Sequence, residues 1–168
     1  MLTDIEIYKD LEAATTNDKM NAILNVQPKA DWVKTHPIYK NQYLPIDKIE
    51  FLLTKIFQRW RVEVLSTNMM LNSICVTVRL HFMNPSTNEW DFHDGVGAHA
   101  IQVDKGAKAT DINAVKIEGV MLALPIAKSR AIGDAADHIG RIFGRDLNRK
   151  DTVQNYTREE NNISNTKF

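Results

Sequence analysis

The spacing of apolar residues along this chain changes from a helical pattern to an alternating one and back again. Between Leu44 and Phe57, apolar residues recur every three or four positions, which predicts an amphipathic helix from residue 46 to about Gln58. Pro45 is tolerated at the first turn of such a helix, and Asp47 lies near the positive end of its dipole. A helix therefore precedes the segments in which the period falls to two.

Three segments of alternating apolar and polar residues follow this helix, at Trp60–Leu65, Ser73–Phe82 and Trp90–Val103. A period of two predicts half-buried strands, and the turn-forming residues before the third segment indicate a hairpin. Gly95 and Gly97 interrupt the third segment, where they predict a bulge or a strong bend. This order predicts an antiparallel three-stranded meander packed on a helix.

A second helical pattern runs from about Asn113 to Phe143, and Pro125 predicts a kink or a break within it. Asp111 or Thr110 is expected to cap its start. Small residues make one side of this helix thin, so that another element can approach it closely. These residues are Ala123, Ala127, Ala131, Ala135 and Ala136. The fold class expected is α+β, with a β-β-β-α core that ends in a long kinked helix.

The chain is expected to divide into three parts. Residues 1–43 begin with a helical pattern and continue with an extended or turning segment between Trp32 and Lys40, and they are a candidate for a subunit interface. Residues 44–150 contain the helix, the meander and the long helix. Residues 151–168 are polar and rich in asparagine, which predicts a mobile tail.

Composition and charge narrow the classes of function. The chain has 168 residues, of which 43% are hydrophobic, and its 21 basic residues balance 21 acidic ones. No apolar stretch reaches the roughly 18 residues that cross a membrane, and the acidic N-terminus is not expected to be a signal peptide. The single cysteine, Cys75, lies in an apolar run and is expected to be buried. These features indicate a reducing, intracellular setting.

The basic residues cluster towards the end of the second helical pattern, although zero net charge argues against a protein that simply coats nucleic acid. Residues 116–150 carry seven basic and four acidic residues. On a helix, Arg141 and Arg145 would point in the same direction, like a clamp for a phosphate. Arg130 and Asp134 are expected to pair with each other. The alternative interpretation of this segment is a solvated, charged helix end.

Other kinds of chemistry are less well supported. His93 and His99 share a strand face but lie six residues apart, about 20 Å along a strand, so they cannot share a metal ion unless the strand folds back. The phosphate-binding loop of nucleoside triphosphatases is absent from the sequence. Trp60 and Trp90 alternate with core positions and are expected to be buried rather than free to stack on bases. The sequence therefore predicts no catalytic residue, no metal site and no cofactor.

The order of these elements resembles the Rad-fifty-two family of single-strand annealing proteins. The resemblance covers roughly residues 44–150, and the segments that carry it are Leu44–Glu50, Trp60–Val64, Val76–Phe82, Trp90–Gly97 and Lys128–Gly144. The last segment places a basic residue just before Phe-Gly, as family members do. Asp137 and His138 depart from the pattern, because these two positions are typically basic in the family.

The resemblance implies a core that assembles side by side into a ring or helical filament, with single-stranded DNA in a positively charged groove. It implies ATP-independent annealing in recombination or repair, in the cytoplasm of a bacterial or phage-infected host cell. An exonuclease or a single-strand-binding protein would be a further partner. The resemblance places Lys48, Lys128 and Arg141 at groove positions. By charge and position, the further candidate DNA-binding residues are Arg59, Arg61, Arg79, Arg130, Arg145, Arg149 and Lys150.

Two alternatives stay open at this point. One is a different α+β module that binds nucleic acid or mediates assembly without annealing strands. The other is a metal-dependent nuclease, which the scattered histidines and carboxylates support only weakly. The sequence does not distinguish a ring from a filament, and it does not give the number of subunits.

Overall fold

The computed structural model describes residues 16–149 and has the α+β architecture that the sequence predicts. In chain order its helices and strands are α1 (residues 16–24), β1 (Lys34–Thr35), β2 (Gln42–Tyr43), α2 (Ile46–Ile56), β3 (Trp60–Met70), β4 (Ser73–Met83), β5 (Trp90–Ala100) and α3 (Ile117–Asp137). Short 3-10 helices lie at Ala30–Trp32, Ile112–Ala114 and Arg141–Phe143. Within the described range, no helix is both long enough and apolar enough to cross a membrane.

Helix α2 begins and ends close to where the sequence predicts. Pro45 is extended, with φ −60° and ψ 149°, and directly precedes the first turn. Phe57 follows the last turn, and its N–H donates to the Leu53 carbonyl at 2.9 Å. Ile49, Leu52 and Leu53 are buried, so the apolar stripe of the helix faces the core as its spacing requires.

Strands β3, β4 and β5 form an antiparallel sheet in which β4 is central. Every second residue of β4 is buried, which confirms the predicted alternation, and these residues are Ile74, Val76, Val78, Leu80 and Phe82. Strand β3 runs on to Met70, well past the predicted end, and its pairing shifts between Val64 and Ser66. The helices pack on the buried face, and the opposite face of the sheet is named the outer face below.

Gly95 and Gly97 let α3 lie directly against β5. The pairing of β4 with β5 is continuous along both strands, so β5 contains no bulge at these glycines. A Cβ atom at Gly95 would lie 2.2 Å from the Ala131 carbonyl oxygen, and one at Gly97 would lie 2.2 Å from that of Ala127. Both alanines are fully buried, which confirms that α3 presents a thin side to a close neighbour.

Helix α3 begins four residues later than the sequence predicts, at Ile117. The chain before it is held beside the end of β5, because the Lys116 N–H donates to the Gln102 carbonyl at 3.0 Å. Asp111 does not cap α3. Its Oδ1 accepts the Asn113 N–H at 3.1 Å and so supports the short 3-10 turn that precedes the helix.

Helix α3 continues through Pro125 and then ends early, at Asp137. The predicted break at Pro125 is wrong, since the helix is continuous there. Proline has no N–H and leaves one backbone carbonyl of the helix without a partner, but Pro125 is exposed, so water can solvate that carbonyl. The early end has a packing cause, since a Cβ atom at Gly140 would lie 2.6 Å from the Leu24 carbonyl oxygen in α1. The chain turns away there and brings Phe143, 1% exposed, into the core.

The N-terminal part differs from expectation mainly in α1. This helix forms from a polar stretch that the sequence does not predict as helical, and its Met20 side chain is buried in the core. The segment between Trp32 and Lys40, predicted to be extended or turning, forms the first strand and the turn of a small hairpin. The predicted first helix, in residues 1–15, and the polar tail, together with Lys150, lie outside the described residues.

Candidate nucleic-acid interface

The outer face of the sheet carries arginine and aromatic side chains beside one another. Trp90 is 44% exposed, and the guanidinium carbons of Arg59 and Arg61 each lie 5.5 Å from the centre of its indole ring. Cations at this distance are attracted to the face of an aromatic ring. The outer-face cluster is defined here as Arg59, Arg61, Arg79, Trp90 and Phe92.

Strand register brings the cluster together. Arg61 of β3 and Phe92 of β5 both pair with His81 of β4, from its two sides. Residues that are paired directly across a sheet point to the same face, so these side chains meet on the outer face. Trp90 lies two residues before Phe92 and therefore points the same way.

Arg79 differs from the other two arginines because a carboxylate holds it. Its Nε and Nη2 donate to the two carboxylate oxygens of Asp94 at 2.7 and 2.8 Å, and its Cζ lies 4.1 Å from the centre of the Phe92 ring. The hydrogen bonds from Arg79 lower the pKa of Asp94, so the pair stays ionised. Arg79 therefore fixes Phe92 in place and carries little uncompensated charge.

Arg59 and Arg61 form no ion pair within residues 16–149. The nearest acid along β3, Glu63, is paired with His81 at an Oε2–Nε2 distance of 3.0 Å. Both arginines are exposed, so their guanidinium groups can turn from the Trp90 ring to phosphates and leave the face of the ring to a base. This arrangement can hold a single nucleic-acid strand, and it requires no covalent step.

The prediction that Arg141 and Arg145 share a helical face is wrong, because both follow the end of α3. The Arg145 Nε and Nη2 donate to the carbonyls of Asp137 and His138, each at 3.0 Å. Carbonyls in the last turn of a helix lack partners within the helix. Arg145 satisfies two of them, so its side chain is committed to ending α3.

Asp146 holds the other two arginines that follow α3. The Arg141 Nε lies 2.8 Å from one carboxylate oxygen of Asp146, and the two side chains are only 16% and 9% exposed. The Arg149 Nη1 lies 3.6 Å from the other oxygen. Of the three arginines in this segment, Arg149 is the one that presents its side chain mainly to solvent.

The expected pairing of Arg130 with Asp134 is also wrong. The Arg130 Nη1 donates to the Ala98 carbonyl at 2.8 Å, and the Asp134 Oδ2 accepts the Val96 N–H at 2.9 Å. Both backbone groups lie on the free edge of β5, where no neighbouring strand can bond them. A backbone N–H or carbonyl on this edge is costly to leave without a hydrogen bond when α3 covers it. An exposed ion pair on a helix contributes only about 0.3–0.5 kcal/mol, so the bonds to the edge prevail.

The remaining candidate residues do not join the outer-face cluster. Lys48 lies on α2, where its Nζ is 3.0 Å from an Asp47 oxygen and 5.6 Å from the centre of the Trp32 ring. Lys128 is exposed on α3. Both helices pack on the face of the sheet opposite the cluster. Lys150 lies outside the described residues, so its position relative to the cluster is not defined.

A polar cavity of about 460 Å³ lies at the C-terminal end of α3. Its lining residues are Asp134, Asp137, His138, Arg145 and Arg149. Burial, with a smaller contribution from the charge of Asp134, raises the pKa of Asp137 to about 7. Two carboxyl groups, one of them with this raised pKa, thus lie beside the two arginines at the place where the family resemblance leads one to expect a basic groove.

Trp60, Trp90 and Cys75 are the three residues that the sequence predicts to be buried, and the structure exposes them to different degrees. Trp60 is half-buried, and its Nε1 donates to the Thr54 hydroxyl at 3.0 Å. Trp90 is exposed, so the expectation of burial is wrong. The same expectation is wrong for Cys75, which is only half-buried, because it alternates with the buried residues of β4 and points to the outer face.

The histidines of the sheet lie on two different faces. His93 and His99 point to the same face of the sheet, as predicted, and this is the face that α3 covers. Burial lowers the pKa of both histidines. His81 lies on the outer face. Between residues 16 and 149, no three His, Cys, Asp or Glu side chains are grouped closely enough to hold a metal ion.

Trp90 and Phe92 are the site residues that the sequence interpretation missed. Alternation places them on one face of β5 but does not say which face is buried. Gly95 and Gly97 contain the missing signal, because a strand face that bears glycines can accept a closely packed helix. The even-numbered residues of β5 must then point away from the helix.

Known proteins offer no direct guide to this site. No protein-family model matches the chain, and a search of curated proteins finds no significant relative.

Proposed function

We propose that this protein binds single-stranded DNA without ATP and anneals complementary strands in homologous recombination or repair, as an annealing protein of the Rad-fifty-two type. The observation that carries this proposal is the exposed ring of Trp90 beside the guanidinium groups of Arg59 and Arg61. An indole ring can stack on any base, and arginine neutralises phosphates of any sequence. Binding at the cluster is therefore expected to be independent of sequence and sensitive to salt.

Annealing requires that a bound strand keep its pairing edges accessible. Stacking on Trp90 occupies one face of a base and leaves its hydrogen-bonding edge free. Contacts of Arg59 and Arg61 to phosphates hold the backbone and likewise leave the bases unread. A second strand can then test complementarity, and base pairing itself supplies the free energy, so no catalytic group is needed.

The cellular setting forms part of the same proposal. A strand-annealing protein needs single strands, which an exonuclease supplies and a single-strand-binding protein covers. We therefore place its action beside such partners in the cytoplasm of a bacterial or phage-infected host cell. Lys48, Lys128, Arg149 and Lys150 remain candidates for further phosphate contacts away from the outer-face cluster.

The decisive experiment measures annealing and cleavage in one reaction. Two complementary oligonucleotides, one carrying a donor and the other an acceptor fluorophore, are mixed with the protein in the presence of EDTA and without nucleotide. Duplex formation is followed by energy transfer, and strand length is examined on a denaturing gel. The protein with both Arg59→Ala and Arg61→Ala is the matched comparison.

Faster duplex formation by the wild-type protein, with a clear loss in the double variant, supports the proposal. Strand binding without faster pairing instead identifies a nucleic-acid-binding module that does not anneal. Strand cleavage that appears only after Mg²⁺ replaces EDTA identifies a nuclease. Unchanged annealing by the double variant would separate the function from the outer-face cluster.

A further inference from the structure

The outer face of the sheet repeats one arrangement of side chains at two successive levels. At the first level Arg59 lies opposite Met83, whose N–H donates to the Arg59 carbonyl at 3.0 Å, and Met83 in turn pairs with Trp90. At the second level Arg61 and Phe92 flank β4 in the same way. Each level therefore has an arginine on the β3 side of the sheet and an aromatic ring on β5.

One level is wide enough for one nucleotide. Strands β3 and β5 are separated by β4, so the arginine and the ring of a level leave the sheet about 10 Å apart. A nucleotide that places its phosphate at the arginine and its base on the ring crosses β4 and spans this gap. The arginines are long enough to adjust, since the Cζ of Arg61 already lies 5.5 Å from the centre of the Trp90 ring.

The distance between the two levels determines how a bound strand must be arranged. Trp90 and Phe92 are two residues apart on one strand, so their side chains leave β5 about 6.7 Å apart. Bases that are stacked as in a duplex are separated by only about 3.4 Å along the strand. Two successive bases can therefore lie on the two rings only when they are not stacked on each other and the sugar-phosphate backbone between them is extended.

The third level of the outer face does not continue this arrangement. There Glu63 of β3 and Asp94 of β5 lie on the two sides of Arg79, so carboxylates stand where the first two levels have an arginine and a ring. The next outer-face residue of β5 is Val96, and beyond the third level no residue on the outer face of β3, β4 or β5 is basic. A negatively charged strand therefore finds two suitable levels and no third.

We infer that the outer-face cluster holds two successive nucleotides of a single strand, unstacked from each other, with one base on Trp90 and the next on Phe92. Arg59 and Arg61 contact the phosphates of these nucleotides, one at each level. The inference rests on the proposed function and gives the form of the strand that the site binds, an extended strand whose neighbouring bases have separated. Phe92 becomes a second base-binding residue of the site.

Phe92 can accept a base although Arg79 already contacts its ring. The Phe92 side chain is 48% exposed, and the Arg79 Cζ lies 4.1 Å from the ring centre. The two hydrogen bonds to Asp94 hold this guanidinium group in one orientation. Bases stack on guanidinium planes as well as on aromatic rings, so Phe92 and Arg79 together form the second stacking platform.

A site with two platforms distinguishes a strand that has two bases from a strand that has one. The test uses short fluorescent strands of abasic residues that carry either a single thymine or two adjacent thymines. The second base adds a second stack, so the wild-type protein should bind the two-base strand about 5- to 150-fold more tightly. Fluorescence anisotropy measures both dissociation constants, and a strand without bases gives the contribution of the phosphates alone.

Two single variants test whether both rings take part. Trp90→Ala and Phe92→Ala should each bind the two-base strand no more tightly than the one-base strand, because one platform remains. Each should keep most of its affinity for the one-base strand, since its single base can use the other ring, and only the double variant should lose it. Phe92→Tyr retains a ring and should behave like the wild type. Val96→Ala, at an outer-face residue of β5 that is 65% exposed, is the control, and circular dichroism verifies folding.

The outcomes separate this inference from the proposed function. Equal affinity of the wild-type protein for the one-base and two-base strands would overturn the inference, and so would a Phe92→Ala protein that still prefers the two-base strand. The proposed function stands in both cases if the protein still accelerates annealing of natural strands in the energy-transfer experiment. A protein that neither binds nor anneals natural strands would overturn the proposed function and this inference together.

Discussion

Arg79 and Asp94 lie directly opposite each other on β4 and β5 and are joined by two parallel hydrogen bonds of 2.7 and 2.8 Å. The pair removes one positive charge from the outer-face cluster and holds the guanidinium group over Phe92. An ionised carboxylate therefore stands within the surface that we propose binds phosphates. Its charge limits the affinity of this surface for a single strand.

Asp94→Asn should strengthen single-strand binding at low salt. The amide removes a negative charge and frees the guanidinium of Arg79 to contact a phosphate. One additional phosphate contact should steepen the plot of log affinity against log salt by about 0.7. Fluorescence anisotropy with a labelled oligonucleotide at several salt concentrations measures this slope. Asp31→Asn, an equal charge change outside the outer face, is the control and should leave the slope unchanged.

Trp90→Ala should weaken single-strand binding, because the loss of one base stacked on an aromatic ring costs about 1–3 kcal/mol. This corresponds to about a 5- to 150-fold increase in Kd. Trp90→Phe should keep part of the affinity, since a smaller ring can still stack. Tyr39→Ala removes an aromatic residue that is 74% exposed on the β1–β2 turn. Equal losses in Trp90→Ala and Tyr39→Ala would mean that Trp90 does not stack on a base.

Local periodicity predicts most of the fold, since each element is defined by its own residues. The apolar spacing of α2 and the alternation in β4 directly reflect the face that each element buries, and both predictions are confirmed. The bounds of α3 could not be predicted in this way. Its end depends on the close contact of Gly140 with Leu24, which are 116 residues apart in the chain.

The partners of the charged candidate residues were less predictable than the fold, because several of these residues bond groups that are distant in the sequence. Arg130 and Asp134 have suitable spacing for a helix pair, yet each bonds the edge of β5. Arg141 fits the groove position of the family resemblance, but Asp146 holds it in a half-buried ion pair. Local spacing shows which pairs are possible, whereas the cost of unsatisfied buried groups decides which of them form.

Gly97→Ala should destabilise the fold strongly, because a Cβ there would lie 2.2 Å from a backbone oxygen of α3. Neither the central part of α3 nor β5 can move away without separating the core, so we expect a loss of about 3 kcal/mol or more. Urea unfolding measures it. Gly133→Ala is the matched control, since its Cβ would meet only Ile49 at 3.5 Å. That change should be neutral or stabilising by up to about 1 kcal/mol.

Arg141→Ala should lower the stability of the protein rather than selectively weaken DNA binding. Removal of the guanidinium leaves the Asp146 carboxylate, 9% exposed, without its closest cation, at a cost of about 2–4 kcal/mol. Arg149→Ala removes a side chain that is 61% exposed and should cost less than about 1 kcal/mol. Urea unfolding and strand binding are measured on both variants. A stable Arg141→Ala protein with reduced affinity would instead support the groove role that the family resemblance implies.

Asp137 should make the protein less stable as the pH rises from about 4 to about 7. Burial raises the pKa of this carboxyl from 3.8 to about 7 in the folded protein, so the fold favours the neutral form. Below both pKa values the carboxyl is neutral in the folded and in the unfolded chain, so it does not change the free energy of unfolding. Between them the unfolded chain releases the proton and the folded chain does not, so stability falls by up to about 4 kcal/mol.

Asp137→Asn removes this titration and should therefore stabilise the protein more at pH 8 than at pH 5, as urea midpoints would show. His93 contributes with the opposite sign, because burial lowers its pKa, and the destabilisation that this causes at low pH fades as the pH rises towards the pKa of the unfolded chain. The difference between wild type and Asp137→Asn at each pH cancels the contribution of His93. If the stability difference between wild type and Asp137→Asn is the same at pH 5 and at pH 8, then Asp137 has the same pKa in the folded and in the unfolded chain.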